Sequence, residues 1–224
     1  MKVPQFPHLS LRSRVLGLIE NALLDGELQP GDRIIESEIA QKAGISRAPV
    51  REAIRELVGE GILVSYPSKG TFVSQWSPRA VEEAYTLRAD LERFAVEQAI
   101  RQMSPDDIDR LQGIVHDMAE ATRKGDTRAL VRLDVRFHQM LWELSGHSLL
   151  QETLARLGRR LHCLQAIDVG FVVYRDEVAP DHQRLVDAVR TGDPTVAGEA
   201  MAAHVLSNGA VVIEQAKQWA EKRC

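Results

Sequence analysis

The chain is short of cysteine, of surplus positive charge, of long apolar runs and of repeats, and each shortage removes a class of protein. Two cysteines in 224 residues, Cys163 and Cys224, leave no disulfide framework and no paired-cysteine zinc pattern. A reducing cytoplasm is the compartment this predicts. The N-terminus has no apolar h-region, and nowhere do 18 apolar residues run uninterrupted, so neither a signal peptide nor a membrane span is expected. A formal net charge of −4 is not the balance of a bulk nucleic-acid binder. Residues 1–75 carry nine Lys/Arg and nine Asp/Glu, so the negative balance lies wholly after them. Any DNA affinity must then come from clustered side chains and from doubling in a dimer. What remains is ordinary: 44% hydrophobic and 27% charged residues in a length that suits one large domain or two modest ones.

Against that background the run Ser46-Arg47-Ala48-Pro49-Val50-Arg51-Glu52-Ala53-Ile54-Arg55 stands out. Arg47, Arg51 and Arg55 recur every four residues and form one basic stripe on a helix, while Val50, Ile54 and Leu57 form an apolar stripe for a core. Ser46 occupies an N-cap position, and Pro49 is tolerated in the first turn, where its missing N–H would have no intrahelical partner. Upstream, residues 36–43 read as a short helix ended by Gly44-Ile45, which completes a helix-turn-helix. Downstream, Gly61 stops the second helix. The β-prone runs 63–65 and 71–73 then flank Tyr66-Pro67-Ser68-Lys69-Gly70, a two-stranded hairpin with Lys69 at its tip. An arginine edge beginning at a helix N-terminus suits the DNA major groove. The competing reading is a solvated face whose arginines pair with nearby Glu52 and Glu56.

The segments "SEIAQKAGISRAPVREAIRELVGEGIL" and "PSKGTFV" resemble the winged helix-turn-helix of GntR-type bacterial transcription regulators over about Leu11 to Val73. The resemblance implies operator DNA as a partner, with Ser46, Arg47, Pro49, Arg51, Arg55, Lys69 and Gly70 at the contact.

Residues 1–10, with Pro4 and Pro7, read as a loose arm, and 11–25 as an amphipathic helix. A boundary falls near Ser74–Pro78, which divides the chain into a winged domain at 1–76 and a second domain at 77–224. Beyond it the period is helical throughout, over 79–103, 105–124, 127–145, 148–167, 171–190 and 194–221. Ser104-Pro105, Asp193-Pro194 and Gly125, Gly146, Gly170 and Gly192 supply the punctuation. The expected fold is mainly α: three helices and a wing, joined to an all-α antiparallel bundle.

Four polar residues share the core faces of that bundle. Asp134 and His138 lie one turn apart beside Leu130, Phe137 and Leu141; His182 lies with Leu185, Val186 and Val189; His204 lies with Ala197 and Met201. Buried carboxylates and imidazoles need partners, and one divalent metal would satisfy all four. Taken singly, each histidine reads as a hydrogen-bonded core or surface residue rather than a ligand. The strings "DVRFHQML", "DHQRLVDAVRTGD" and "AMAAHVLSNGA" resemble the FCD ligand domain of FadR-type GntR regulators over roughly 79–215. That resemblance implies metal ligation by Asp134, His138, His182 and His204, one divalent ion per chain (Zn, Ni, Mn or Fe), and a small organic acid as effector. "LRADLERFAVEQA" resembles the family's first bundle helix, where an arginine can clamp a carboxylate; here that residue is Arg88, expected at the bundle edge or mouth. The alternative for Arg88 is an i, i+4 pair with Glu92. Asn208, one turn past His204, could bind the effector or a metal-bound water, whereas Tyr85 is expected to pack.

Two functions are compatible with these features. One is a cytoplasmic, homodimeric, ligand-responsive transcription regulator, by default a repressor relieved by its effector, with no membrane partner. The other is a metal-dependent enzyme with an accessory DNA-binding module. The absence of a nucleophile motif such as GxSxG and of an obvious general base near the four residues speaks against the second, and so does the winged domain.

Overall fold

A computed structural model describes residues 10–24, 26–167 and 175–221, and the chain separates into two compact units, residues 1–75 and 76–224. The expected arm at 1–9 lies outside the described residues. The first unit holds α1 (Leu11–Leu24), β1 (Arg33–Ile34), α2 (Glu36–Ala43), α3 (Arg47–Gly59), β2 (Leu63–Tyr66) and β3 (Gly70–Val73). Its core is Val15, Ile19 and Leu23 of α1 against Val50, Ala53, Ile54 and Leu57 of α3, closed by Ile34, Ile62, Leu63 and Val73. The apolar stripe of α3 therefore faces inward, which leaves the arginine stripe outside.

Two glycines set the angles of this unit. Gly44 ends α2 at φ 64°, with its N–H and that of Ile45 returning to the α2 carbonyls. Gly61, at φ 74°, ends α3 while Ile62 N–H bonds Leu57 O. Both are left-handed C-terminal caps, which a residue with a Cβ adopts at a cost. Ser46 does stand at the N-cap of α3, but its side chain makes no capping hydrogen bond, contrary to expectation. The wing is also larger than the two-stranded hairpin expected. β1 pairs with β3 on the side opposite β2, giving the antiparallel order β1-β3-β2 with Arg33 opposite Phe72. Two residues carry too little periodicity to announce a strand.

The second unit is helical throughout its described residues: α4 (Pro78–Ile100), α5 (Pro105–Lys124), α6 (Thr127–Leu144), α7 (Ser148–Ile167), α8 (Arg175–Arg190) and α9 (Pro194–Glu221). Local chemistry sets the starts. Ser77 accepts from Ala80 N–H; Ser104 and Asp107 form a reciprocal capping box; Asp126 accepts from Ala129 N–H. The expected start of α8 at 171 lies outside the described residues, and the described helix begins at Arg175. Leu111, Val115, Met118, Leu130, Phe137, Leu141, Leu161, Val186, Met201 and Val205 form the core.

Over Pro194–Gln218, α9 is apolar and long enough to match a membrane span in length and composition. In the fold that apolarity is spent on packing, mainly against α4 and also against α8. The approach to α4 is close: a Cβ on Gly209 would stand 2.6 Å from Cγ of Tyr85, which is 1% exposed and cannot move aside. Gly209→Ala is therefore expected to destabilise the second unit by about 1–3 kcal/mol despite alanine's better helix propensity. A thermal unfolding midpoint raised by the substitution would show that the two helices separate freely.

Candidate metal centre and nucleic-acid interface

The bundle core contains a concentration of charge that its apolar surroundings must stabilise. Asp134 (8% exposed), His138 and His182 are buried, and His204 is partly open to an adjoining cavity. One donor atom from each of the four lies within 4.8 Å of every other. The three imidazoles surround the same space, with ring centroids 4.8–5.7 Å apart. α6 supplies Asp134 and His138 one turn apart, α8 supplies His182 and α9 supplies His204, so three helices converge on one point.

For His182 a hydrogen bond directs a free lone pair to that point. His182 Nδ1 donates to the Val178 carbonyl at 2.8 Å, which a carbonyl can only accept, so the tautomer leaves Nε2 unprotonated. That Nε2 is 3.2 Å from Asp134 Oδ1 yet has no hydrogen-bond partner. Donors bound at about 2.0–2.2 Å to one ion stand roughly 3–3.5 Å apart, so this spacing and this orphaned nitrogen fit a transition metal. Asn208 Nδ2 lies 3.2 Å from His204 Nε2, which places the amide on the histidine rather than in open water. Burial first, then the neighbouring imidazoles of His182 and His138, push His204 well below its usual pKa, which keeps it neutral as a ligand must be.

Behind the cluster lies Glu92, which the sequence offers only as an i, i+4 partner of Arg88. Glu92 is 0% exposed and accepts from Arg88 Nε (3.0 Å, to Oε1) and from Trp142 Nε1 (2.7 Å, to Oε2). Its Oε1 is also 3.2 Å from His138 Nδ1, at ion-pair range but off the line of a hydrogen bond. Burial alone would raise its pKa; the adjacent His138 and Arg88, with the indole N–H, hold it down to about 2. Arg88 is thus buried, at 4% exposed, and not at the bundle mouth as expected. Its i, i+4 pair with Glu92 is present, and the guanidinium also lines the cavity. A pair of one positive and one negative charge can be buried together where a lone arginine could not. Tyr85 packs in the core as expected. The cavity, about 240 Å³, is bounded by the four clustered residues, Arg88 and Asn208, among others.

In the first unit the stripe on α3 is outside: Arg47, Arg51 and Arg55 are exposed, as are Ser46 and Lys69, with Pro49 and Gly70 half-buried. Neither Glu52 nor Glu56 holds the first two arginines. Glu36, in the first turn of α2, does so, at 3.3 Å from Arg47 Nη2 and 3.1 Å from Arg51 Nη2, with Arg51 Nε also donating. The Arg51 hydrogen bond draws Glu36 below the usual carboxylate range. Spacing along one helix could not reveal this contact, because it crosses the helix-turn-helix. The wing turn runs from Tyr66 to Lys69, with Lys69 N–H bonded to Tyr66 O; Ser68 is left-handed at φ 63° and Gly70 at φ 111°.

Comparisons with known proteins agree with both halves. Residues 11–73 match the profile of bacterial regulatory proteins of the gntR family, and residues 83–207 match the FCD domain. A helix-turn-helix (HTH) regulator encoded in an unstable DNA locus of Streptomyces ambofaciens is 32% identical, over 88% of this chain and 80% of its own. The HTH-type transcriptional repressor RspR of Escherichia coli is 21% identical, over 89% and 87%. The solved structure of E. coli McbR/YncC superposes with a TM-score of 0.80 at 25% identity, covering 93% of this chain and 99% of that one.

Two buried groups at the cluster predict part of the acid response of the bundle. His204 has a folded pKa below the ordinary 6.5, so an unfolded chain takes up a proton there that the folded chain refuses; stability falls as pH drops below 6.5. Glu92 is ionised in the fold down to about 2 against an ordinary 4.5, so its contribution is full above 4.5 and is lost between 4.5 and 2. Chemical denaturation of the chain followed from pH 8 to pH 3 should show both losses. A flat profile would contradict the burial of these groups.

Proposed function

As a member of the GntR family of bacterial regulatory proteins that carries an FCD domain, this chain is a transcription regulator, not an enzyme, and we propose that it is a cytoplasmic, homodimeric repressor of the FadR subfamily, released from operator DNA by a small organic acid bound at a metal. The observation that carries the reading is the buried Asp134, His138, His182 and His204 cluster opening on a cavity that Arg88 also lines. One divalent transition metal per chain (Zn, Ni, Mn or Fe) would take these four donors and keep one or two positions open. Bound there, it would supply a Lewis-acid anchor for a carboxylate. Asp134 removes one of its two positive charges, so the site stays net positive and favours an anion. The chain's own residues shape the rest: Arg88 adds positive charge at the cavity wall, and Asn208 offers an amide beside His204. Repression rather than activation follows the relative RspR, a repressor by name.

In this reading residues 1–76 bind DNA and 77–224 bind the effector. The N-terminal end of α3 enters the major groove, with Ser46 and Pro49 at the entry, Arg47, Arg51 and Arg55 on bases or phosphates, and Lys69 and Gly70 of the wing on the neighbouring backbone. Glu36 then serves as a local counter-charge that keeps Arg47 and Arg51 extended and is exchanged for DNA on binding. Two copies related by a two-fold axis require a near-palindromic operator. The effector must bind one arrangement of the dimer better than the other, since a ligand with equal affinity for both shifts nothing.

Two measurements test this. The purified chain should hold about one transition metal, by elemental analysis, and His204→Ala should lose it while keeping operator binding; a metal-free wild type after loading with Zn, Ni or Mn would make the cluster a hydrogen-bonded core instead. Arg51→Ala should weaken binding to a selected operator roughly 5- to 150-fold and leave metal content untouched. Equal affinity of wild type and variant would remove Arg51 from the interface.

A further inference from the structure

The four clustered residues would hold the metal, but nothing among them fixes the orientation of His138. His182 is oriented by the Val178 carbonyl and His204 has Asn208 beside it. For His138 the neighbour is Glu92, 3.2 Å from Nδ1. A surface Arg88–Glu92 pair would need no third partner. This one is buried at 4% and 0% exposure, and it receives the Trp142 indole N–H from α6, the same helix that carries His138 one turn earlier. α6 therefore presents Glu92 with a ligand candidate and a clamp for the other oxygen. Arg88 holds the oxygen that faces the histidine. With Oε1 and Oε2 both engaged by donors on two helices, the carboxylate cannot rotate away.

We propose that Glu92 is a positioning residue for the metal centre, held by Arg88 and Trp142 so that its Oε1 keeps the proton of His138 on Nδ1 and leaves the Nε2 lone pair for the ion. This rests on the metal reading above. A carboxylate behind a ligating imidazole fixes its tautomer and ring plane and raises its basicity, and loss of such a partner weakens metal binding about 10–100-fold. The proposal also gives Arg88 a second duty: its Nε–H is committed to Glu92, so only the rest of the guanidinium is left for an effector.

The test uses the full-length chain stripped of metal and titrated with Zn²⁺ against a chromogenic chelator. Glu92→Gln should weaken Zn²⁺ binding about 10–100-fold. Trp142→Phe frees Oε2 but keeps the carboxylate, and should weaken it by a smaller factor; it carries the test if Glu92→Gln does not fold. A second readout separates positioning from mere packing. The side-chain ¹⁵N resonances of His138 in the metal-free wild type should be those of the Nδ1–H tautomer, and Glu92→Gln should lose that fixed preference while Trp142→Phe retains it. Zn²⁺ affinity within twofold of wild type in both variants, or an Nε2–H tautomer in the wild type, overturns the role of Glu92. Failure of the wild type itself to bind Zn²⁺, Ni²⁺ or Mn²⁺ overturns the metal reading, and this role with it.

Discussion

Charge buried among apolar helices is the constraint on which the C-terminal unit depends. Arg88, Glu92, Asp134, His138 and His182 lie in a core that is otherwise leucine, valine, methionine and aromatic carbon. Each such group is unfavourable unless another compensates it. Arg88 offsets Glu92; Glu92 faces His138; Asp134 faces His182. The chain of compensation runs across α4, α6 and α8, so these helices cannot shift independently. The glycine at 209 belongs to the same constraint, because it lets α9 approach α4 closely enough to bring His204 to the cluster.

The same arrangement leaves the site incompletely satisfied by the protein itself. The cluster is satisfied only in part by protein groups: His182 Nε2 is buried without a hydrogen bond. Partly satisfied polar networks are costly at low dielectric, and a ligand that completes one gains that energy on binding. The cavity beside the cluster gives such a ligand room. In the N-terminal unit the logic is reversed. Arg47 and Arg51 are exposed and held only by Glu36, in salt bridges of the surface kind that contribute little and exchange readily. One unit thus keeps its charges buried around a site, and the other keeps them outside in exchangeable pairs.

Much of this was legible in the residues. The i, i+4, i+8 arginines and the apolar stripe opposite them specify a helix with one buried and one basic edge, and α3 has both. Asp134, His138, His182 and His204 could be picked out because each sits at a core position of its own helix, where a polar residue needs a reason. What was not legible depends on contacts between elements. β1 is two residues long and exists only because β3 offers an edge. The partner of Arg47 and Arg51 is on another helix, although two glutamates stand nearer in sequence. The apolar residues that recur beside Arg88 point to the bundle edge or mouth; pairing with Glu92, itself held by Trp142, makes its burial tolerable.

Local periodicity, capping residues and glycine positions thus determined, from the sequence by itself, which segments are helices, where most of them stop and which face of each is apolar; the helix expected to reach 103 ends at Ile100. These depend on bonds and side chains within a few residues of one another, so a linear reading captures them. The tertiary structure alone decided which polar groups meet: Glu36 with the arginines of α3, Glu92 with Arg88, Trp142 and His138, and His182 with Asp134. Those meetings require particular distances between helices. Such distances are set by close packing of the whole core, which no single helix encodes.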